Sequence, residues 1–166
     1  MKQLAYLLRP MASQDLEAVL GVQRLAYTPD LHESLTVFSS KLERFPDSNW
    51  VIQGERGLLA YLFAQPARYL HPPPLNDCDA AVAGADALHL HDMAVAPWSR
   101  GLGLAGQLVA TGLNWGRHQN LAWATLIAVQ DSRSFWQAHG FCCGSLEKSL
   151  DSYGQGARYM YQSLLG

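Results

Sequence analysis

The sequence predicts one α+β domain, and three observations carry that prediction. The chain has 166 residues, 49% of them hydrophobic and 16% charged, which suits a single domain with a sizeable core and not a disordered chain. Apolar spacing switches between helical periodicity and short extended runs in the order β-α-α-β-β-β-α-β-α-β-β. From Leu88 to Gly116 a strand passes through a glycine-rich turn straight into a helix, and the other elements are organised around that unit.

Taken in order, Leu4 to Leu8 reads as a strand stopped at Arg9-Pro10. Ser13 suits an N-cap, with Leu16, Val19, Leu20 and Val22 following at near-helical spacing. Leu35, Phe38, Leu42 and Phe45 mark a second helix, ended by Pro46. Asn49 to Gln53 and Leu58 to Gln65 are strands around a Gly54-Glu55-Arg56-Gly57 hairpin turn. Pro66 to Ala85, with three consecutive prolines, reads as a long loop, functional or simply solvated. After the central unit come a strand from Leu121 to Val129, a short helix from Ser132 to His139, a strand opened by Gly140-Phe141 and a last strand from Ala157 to Leu164. No internal repeat or domain boundary interrupts residues 1–166.

In the central unit, Leu88, Leu90, Met93, Ala94 and Val95 form an apolar strand that Pro97 closes, because proline cannot donate to a ladder. Ala105, Leu108, Val109, Gly112 and Leu113 then mark one helix face. A helix start leaves backbone N–H groups unpaired and carries partial positive charge. The absence of a Cβ at Gly101 and Gly103 lets an anion approach. Backbone from Gly101 through Leu102, Gly103, Leu104 and Ala105 to Gly106 is therefore a candidate phosphate nest, with Arg100 at its edge.

Two patterns fit this turn. Gly101, Gly103 and Gly106 match the dinucleotide fingerprint G-x-G-x-x-G, but Ala96 to Arg100 separate it from the strand and no acid lies near Ala122 to Thr125 to hold a ribose. Arg100, Gly103 and Ala105 match Arg/Gln-x-x-Gly-x-Gly/Ala, and Met93-Ala-Val-Ala-Pro97 precedes it. This stretch, together with Phe135-Trp136-Gln-Ala-His139-Gly140-Phe141, resembles the GNAT superfamily of N-acetyltransferases. The resemblance implies a mixed, mostly antiparallel sheet of six or seven strands flanked by about four helices. It also implies acetyl-CoA as cosubstrate. The pantetheine arm would pair with backbone at Met93 and Val95, and an N–H of Met93 or Ala94 would stabilise the oxyanion. The family's usual tyrosine four residues before Gly140 is here Trp136, which cannot serve as an acid and suits packing against cofactor or core. Tyr153, Ser134 or water are the substitutes.

Acetylating an amine requires removal of its proton, since an alkyl amine titrates near ~10.4. His89 and His91 are candidate bases: two apart in a strand, they share a face, and imidazole titrates near neutrality. The Leu88-His-Leu-His-Asp-Met-Ala-Val95 arrangement is similar to that of arylalkylamine N-acetyltransferases. Asp92 points to the other face of a regular strand and is a second-choice base, which the strand bulge implied by the GNAT resemblance would redirect. Cys142 and Cys143 suit small strand-core positions better than an acyl-enzyme, as no base neighbours them in sequence. Tyr27, Phe38, Trp50, Tyr69, Tyr153 and Tyr159 are candidates for an acceptor pocket or, at these spacings, for the core. Asp77, Asp79 and Asp86 are candidates to attract a cationic amine or belong to a solvated loop.

Composition narrows the partners. Net charge is −2, with 12 basic and 14 acidic residues, so neither nucleic acid nor a membrane surface is indicated. No apolar run approaches the ~20 residues of a membrane span, and the N-terminus lacks the pattern of a signal peptide. Three cysteines (Cys78, Cys142, Cys143) form no even framework and no zinc spacing, which points to a reducing cytoplasm and no metal. The expected partner is a small-molecule or peptide amine, and the protein a monomer or homodimer. The rival functions are a coenzyme A-binding protein with little chemistry and a nucleotide-binding module. A thermal melt separates the last from the others: acetyl-CoA is expected to raise the midpoint and NAD to leave it unchanged.

Overall fold

A computed structural model describes residues 5–77 and 82–166. Among the described residues, seven strands form one sheet in the order β1-β2-β3-β4-β5-β7-β6. They are β1 (Tyr6–Pro10), β2 (Asn49–Gly54), β3 (Gly57–Ala67), β4 (Ala87–Val95), β5 (Trp123–Ala128), β6 (Cys142–Cys143) and β7 (Arg158–Ser163). Every neighbouring pair is antiparallel except β4 and β5. The helices are α1 (Leu16–Ala26), α2 (Leu35–Arg44), α3 (Leu104–His118) and α4 (Arg133–Ala138). The α+β class and the element order agree with the sequence reading.

Each face of the sheet carries its own core. On one side α1 and α2 cover Val51, Tyr61 and Phe63 with Val19, Leu20, Phe38 and Leu42. On the other, α3 packs Leu104, Leu108 and Leu113 onto Ile52, Leu62, Leu88, Leu90 and Leu126, joined by Trp136 of α4. Covering both faces explains why β3 reads as an unbroken apolar run from Leu58 to Ala64 and not as an alternation. The backbone of α3 lies close to the sheet because a Cβ at Gly112 would meet Leu62 and Leu90 at 3.3 and 3.4 Å.

Some local expectations are corrected. Ser13 is not the N-cap of α1. A single tight turn at Ser13–Asp15 precedes the helix, and the Asp15 carboxylate accepts the Ala12 N–H at 2.8 Å while pairing with Arg9. The arginine holds that carboxyl below the usual carboxylate range. β3 continues through Pro66 to Ala67, shortening the expected loop. Cys142 and Cys143 are exposed, since β6 is a two-residue edge strand bonded only to β7. Cys78 and Asp79 lie outside the described residues. Among the described residues, no helix is long and apolar enough to cross a membrane.

Phe38 is fully buried and stacks on Phe63 with centroids 4.5 Å apart. Phe38→Ala is expected to lower stability by about 3–5 kcal/mol, read from denaturant unfolding.

Candidate functional site

β4 and β5 pair only from Ala87 opposite Trp123 to Leu90 opposite Leu126. Beyond that point β4 carries one residue more than β3 matches: Ala64 faces Leu90 and Phe63 faces Asp92, so His91 is the extra residue. A bulge bends a strand and alters its twist. The two strands part here, and the edge of β4 that faces β5 has no strand partner from His91 to Val95. Apart from the Met93 carbonyl, which accepts the Tyr27 hydroxyl, backbone groups on this edge are open to a ligand. A cavity of about 240 Å³ fills the wedge, walled by Met93, Ala94 and Val95 of β4, by Leu126 and Ile127 of β5, and by Trp136 of α4.

The glycine turn adjoins this wedge. A tight turn at Pro97–Ser99 follows β4 and is anchored by Ser99 Oγ, which donates to the Leu59 carbonyl at 2.9 Å. Gly101 and Gly103 then adopt φ of +82° and +75°, and a Cβ at either would project into open space. Glycine holds such angles without strain. Gly103 is the N-cap of α3, and the first helical bond runs from Gln107 N–H to its carbonyl. The N–H groups of Leu104, Ala105 and Gly106 therefore have no acceptor within the helix. A second cavity, about 370 Å³, lies against Arg100, Gly101, Gly103, Leu104, Ala105 and Gly106, and shares Val95, Arg100 and Phe135 with the first. Leu102 does not line it and is 45% exposed. The open backbone at Gly101 and Gly103 and the unpaired helix-start amides fit a diphosphate.

At the far end of the wedge lies an acid–base cluster. The rings of His89 and His91 are 5.9 Å apart, so they do share a region. His89, however, is 1% exposed, bonds Thr125 Oγ1 through Nδ1 at 2.9 Å, and does not line the cavity. Burial, followed by the charges of His91 and Lys41, holds it well below the ordinary histidine range. His91 and Asp92 both line the cavity. The bulge brings Asp92 to the α1/α2 side, contrary to its expected place in a regular strand, and it accepts the Tyr61 hydroxyl at 2.9 Å. Burial, and then the neighbouring Glu33 charge, push the Asp92 carboxyl up to about 7.

Glu33, between α1 and α2, is the main residue that sequence reasoning missed. Its Oε1 lies 2.7 Å from His91 Nε2, and its Oε2 accepts the Asn76 N–H at 2.7 Å. Burial acts to raise its carboxyl, but the charge and hydrogen bond of His91, with Lys41 and the Asn76 N–H, outweigh it and hold the group low. Tyr27, Phe135 and His139 also line the two cavities. Tyr27 donates its hydroxyl to the Met93 carbonyl.

The remaining candidates separate. Tyr153 lines the cavity, but its hydroxyl donates to the Pro73 carbonyl at 3.1 Å, and burial raises its phenol. Trp136 is both core and cavity wall, edge-on to Phe135 and Phe141. Ser134 lies in a different hollow, beside Arg133 and Arg158. Phe38 and Trp50 are core residues; Tyr69 stacks on Trp123, and the Tyr159 hydroxyl accepts the Leu70 N–H. Asp77 and Asp86 do not line the cavity, and Asp86 instead accepts the Tyr69 N–H at 2.8 Å. Among the described residues, no three His, Cys, Asp or Glu side chains converge as a metal site.

Known proteins share this architecture. The chain superposes on Ard1 from Thermoplasma volcanium with a TM-score of 0.76 at 17% identity, covering 98% of this chain and 99% of that one. The ribosomal-protein-S18-alanine N-acetyltransferase from Escherichia coli gives 0.73 at 15% identity, covering 98% and 96%. A GNAT family N-acetyltransferase from Escherichia coli, solved with CoA, gives 0.66 at 18% identity, covering 99% and 84%. These likenesses show the fold. No curated protein sequence matches the chain. Residues 17–141 match the sequence profile of the acetyltransferase (GNAT) family, and they contain the parted strands, the bulge and the glycine turn alike. The chain belongs to the acetyltransferase (GNAT) family.

Proposed function

We propose that this chain is an acetyl-CoA-dependent N-acetyltransferase that acts on a primary amine by direct attack within a ternary complex. One observation carries the reading: two adjoining cavities, sharing Val95, Arg100 and Phe135, run from the amide-rich start of α3 to Asp92 and His91 beside a strand edge with no strand partner among the described residues. The coenzyme A complex of the Escherichia coli N-acetyltransferase of the same fold supports it.

The groove is electrostatically divided. Arg100 and the N–H groups from Gly101 to Gly106 at one end suit the diphosphate of coenzyme A. Glu33 and Asp92 at the other suit an amine that arrives protonated. Between them the open edge of β4 at Met93–Val95 lies along the pantetheine arm, and an N–H of Met93 or Ala94 faces the developing oxyanion. Asp92 takes the amine proton, since a carboxyl titrating at about 7 matches the working pH. His91 stands beside it in the cavity wall. The amine nitrogen bonds the thioester carbon and the carbon–sulfur bond breaks. A thiol near ~8.5, by analogy with cysteine, leaves as thiolate without a dedicated acid. This accommodates Trp136 in the tyrosine position and the engagement of Tyr153 with Pro73.

The test is thiol release from acetyl-CoA across a panel of small amines and peptide N-termini, in the wild type and Asp92→Asn. Wild-type kcat/KM is expected to rise with pH through about 7 as Asp92 ionises. D92N is expected to lose that limb and about 100-fold or more in rate. Stability gives an independent reading. The fold favours the protonated Asp92 carboxyl, so the native state holds its proton longer than the unfolded chain does. Wild type should therefore lose stability relative to D92N as pH rises from about 4 to about 7. An unchanged pH limb in D92N rejects Asp92 as base. A raised melting point with coenzyme A, but no turnover with any amine, assigns a coenzyme A-binding protein instead.

A further inference from the structure

Glu33 is held on all sides. Its backbone is clamped to α1 by a reciprocal pair: Gln23 Nε2 donates to the Glu33 carbonyl at 2.9 Å, and the Glu33 N–H donates to Gln23 Oε1 at 3.0 Å. Gln23 is itself 1% exposed, so this anchor is dry. The carboxylate then reaches His91 with one oxygen and the Asn76 N–H with the other. The side chains of Glu33 and His91 are each 1% exposed. A carboxylate in such a place persists only when its oxygens are bonded.

The second nitrogen of His91 decides what the pair does. His91 Nδ1 is buried and has no hydrogen-bond partner among the described residues. Glu33 Oε2 already accepts the Asn76 N–H and a carboxylate only accepts, so the hydrogen shared across 2.7 Å belongs to Nε2. A hydrogen on Nδ1 would be a buried donor without an acceptor, which costs its full desolvation penalty. Of the two neutral tautomers, the geometry therefore selects the one with hydrogen on Nε2 and a bare lone pair on Nδ1, one residue from Asp92. The other carboxylate oxygen holds a second object. Asn76 follows Leu75, which lines the cavity, and Pro73 accepts the hydroxyl of Tyr153, which lines it too. The segment from Pro73 to Asn76 is thus pinned at both ends across the acceptor side.

We propose that Glu33 is the positioning residue of the transfer reaction proposed above: one oxygen fixes His91 as the Nε2–H tautomer with Nδ1 free to accept a proton, and the other fixes Pro73–Asn76 as the acceptor-side wall. The proposal rests on that reading of the reaction for its kinetic part only; the tautomer and the wall are properties of the resting protein. Glutamine is the informative replacement. It offers one acceptor oxygen and one donor NH2, so it can satisfy His91 or Asn76 but not both. The groups facing Asp92 are Glu33, Lys41 of α2, Tyr61 of β3 and Tyr27 after α1, and of these Glu33 acts to hold its proton on. Loss of the Glu33 charge therefore moves the Asp92 limb to lower pH.

The experiment compares wild type and Glu33→Gln by three readouts. Nitrogen-15 NMR of the His91 imidazole is expected to show Nε2–H and bare Nδ1 in the wild type. E33Q is expected either to lose that tautomer or to raise hydrogen exchange at the Asn76 amide at least tenfold. With an amine accepted by the wild type, E33Q should lower kcat at least tenfold, shift the acid limb down in pH and leave KM for acetyl-CoA unchanged, because the glycine turn lies at the other end of the groove. A His91 that carries hydrogen on Nδ1 in the wild type overturns the proposal without any variant, as does an E33Q protein unchanged in tautomer, exchange and kcat. If the wild type acetylates no amine, the reaction reading falls, while the tautomer and exchange results still decide the role of Glu33.

Discussion

A single extra residue, His91 in β4, is the constraint on which the rest of the site depends. It has two effects at one place. It ends the pairing of β4 with β5, which leaves a strand edge open inside an otherwise continuous sheet. It also turns Asp92 toward α1 and α2, where Tyr61 and the Glu33 charge meet it. Were His91 paired in register instead, Asp92 would fall on the opposite face, toward the apolar core beneath α3. The groove and its acid–base cluster are therefore consequences of one irregularity, not two separate constructions.

Burial then differentiates two carboxyl groups that are chemically alike. Glu33 has an imidazole and a backbone N–H on its oxygens and a nearby lysine, and it stays ionised. Asp92 is raised by burial and then by the Glu33 charge, and the Tyr61 hydroxyl only partly offsets them, so its proton leaves only near neutrality. Lys41, itself buried and bonded to Gln65 Oε1 at 3.3 Å, moderates both. Hydrophobic packing around Phe38, Tyr61 and Phe63 makes this possible by excluding the water that would otherwise level the two acids.

What was legible in the sequence was local. The glycine turn, the start of α3 and the order of elements depend on neighbours within a few positions, and they stand where the spacing put them. The bulge was legible only through the family resemblance, and its position at His91 was not, because an extra residue is defined only against a partner strand. Glu33 was hidden for a related reason: it meets His91 across 58 residues of chain and, in sequence, is a lone acid in a short connection. His89 shows the converse. Alternation placed it on the right face, but only the packed structure shows that Thr125 occupies it and that the cavity does not reach it. Cys142 and Cys143 were expected in a core because they are small and apolar, yet two residues at the rim of a sheet have nothing to be buried against.

The seam between β4 and β5 is only four residue pairs long. The sheet is in effect two plates, β1 to β4 and β5 to β6, joined at one corner. A molecule sliding into the gap displaces solvent and breaks no ladder bond, since none was formed there. The opening was already made when the chain folded, and a guest finds a mould whose backbone groups have been waiting for a mate.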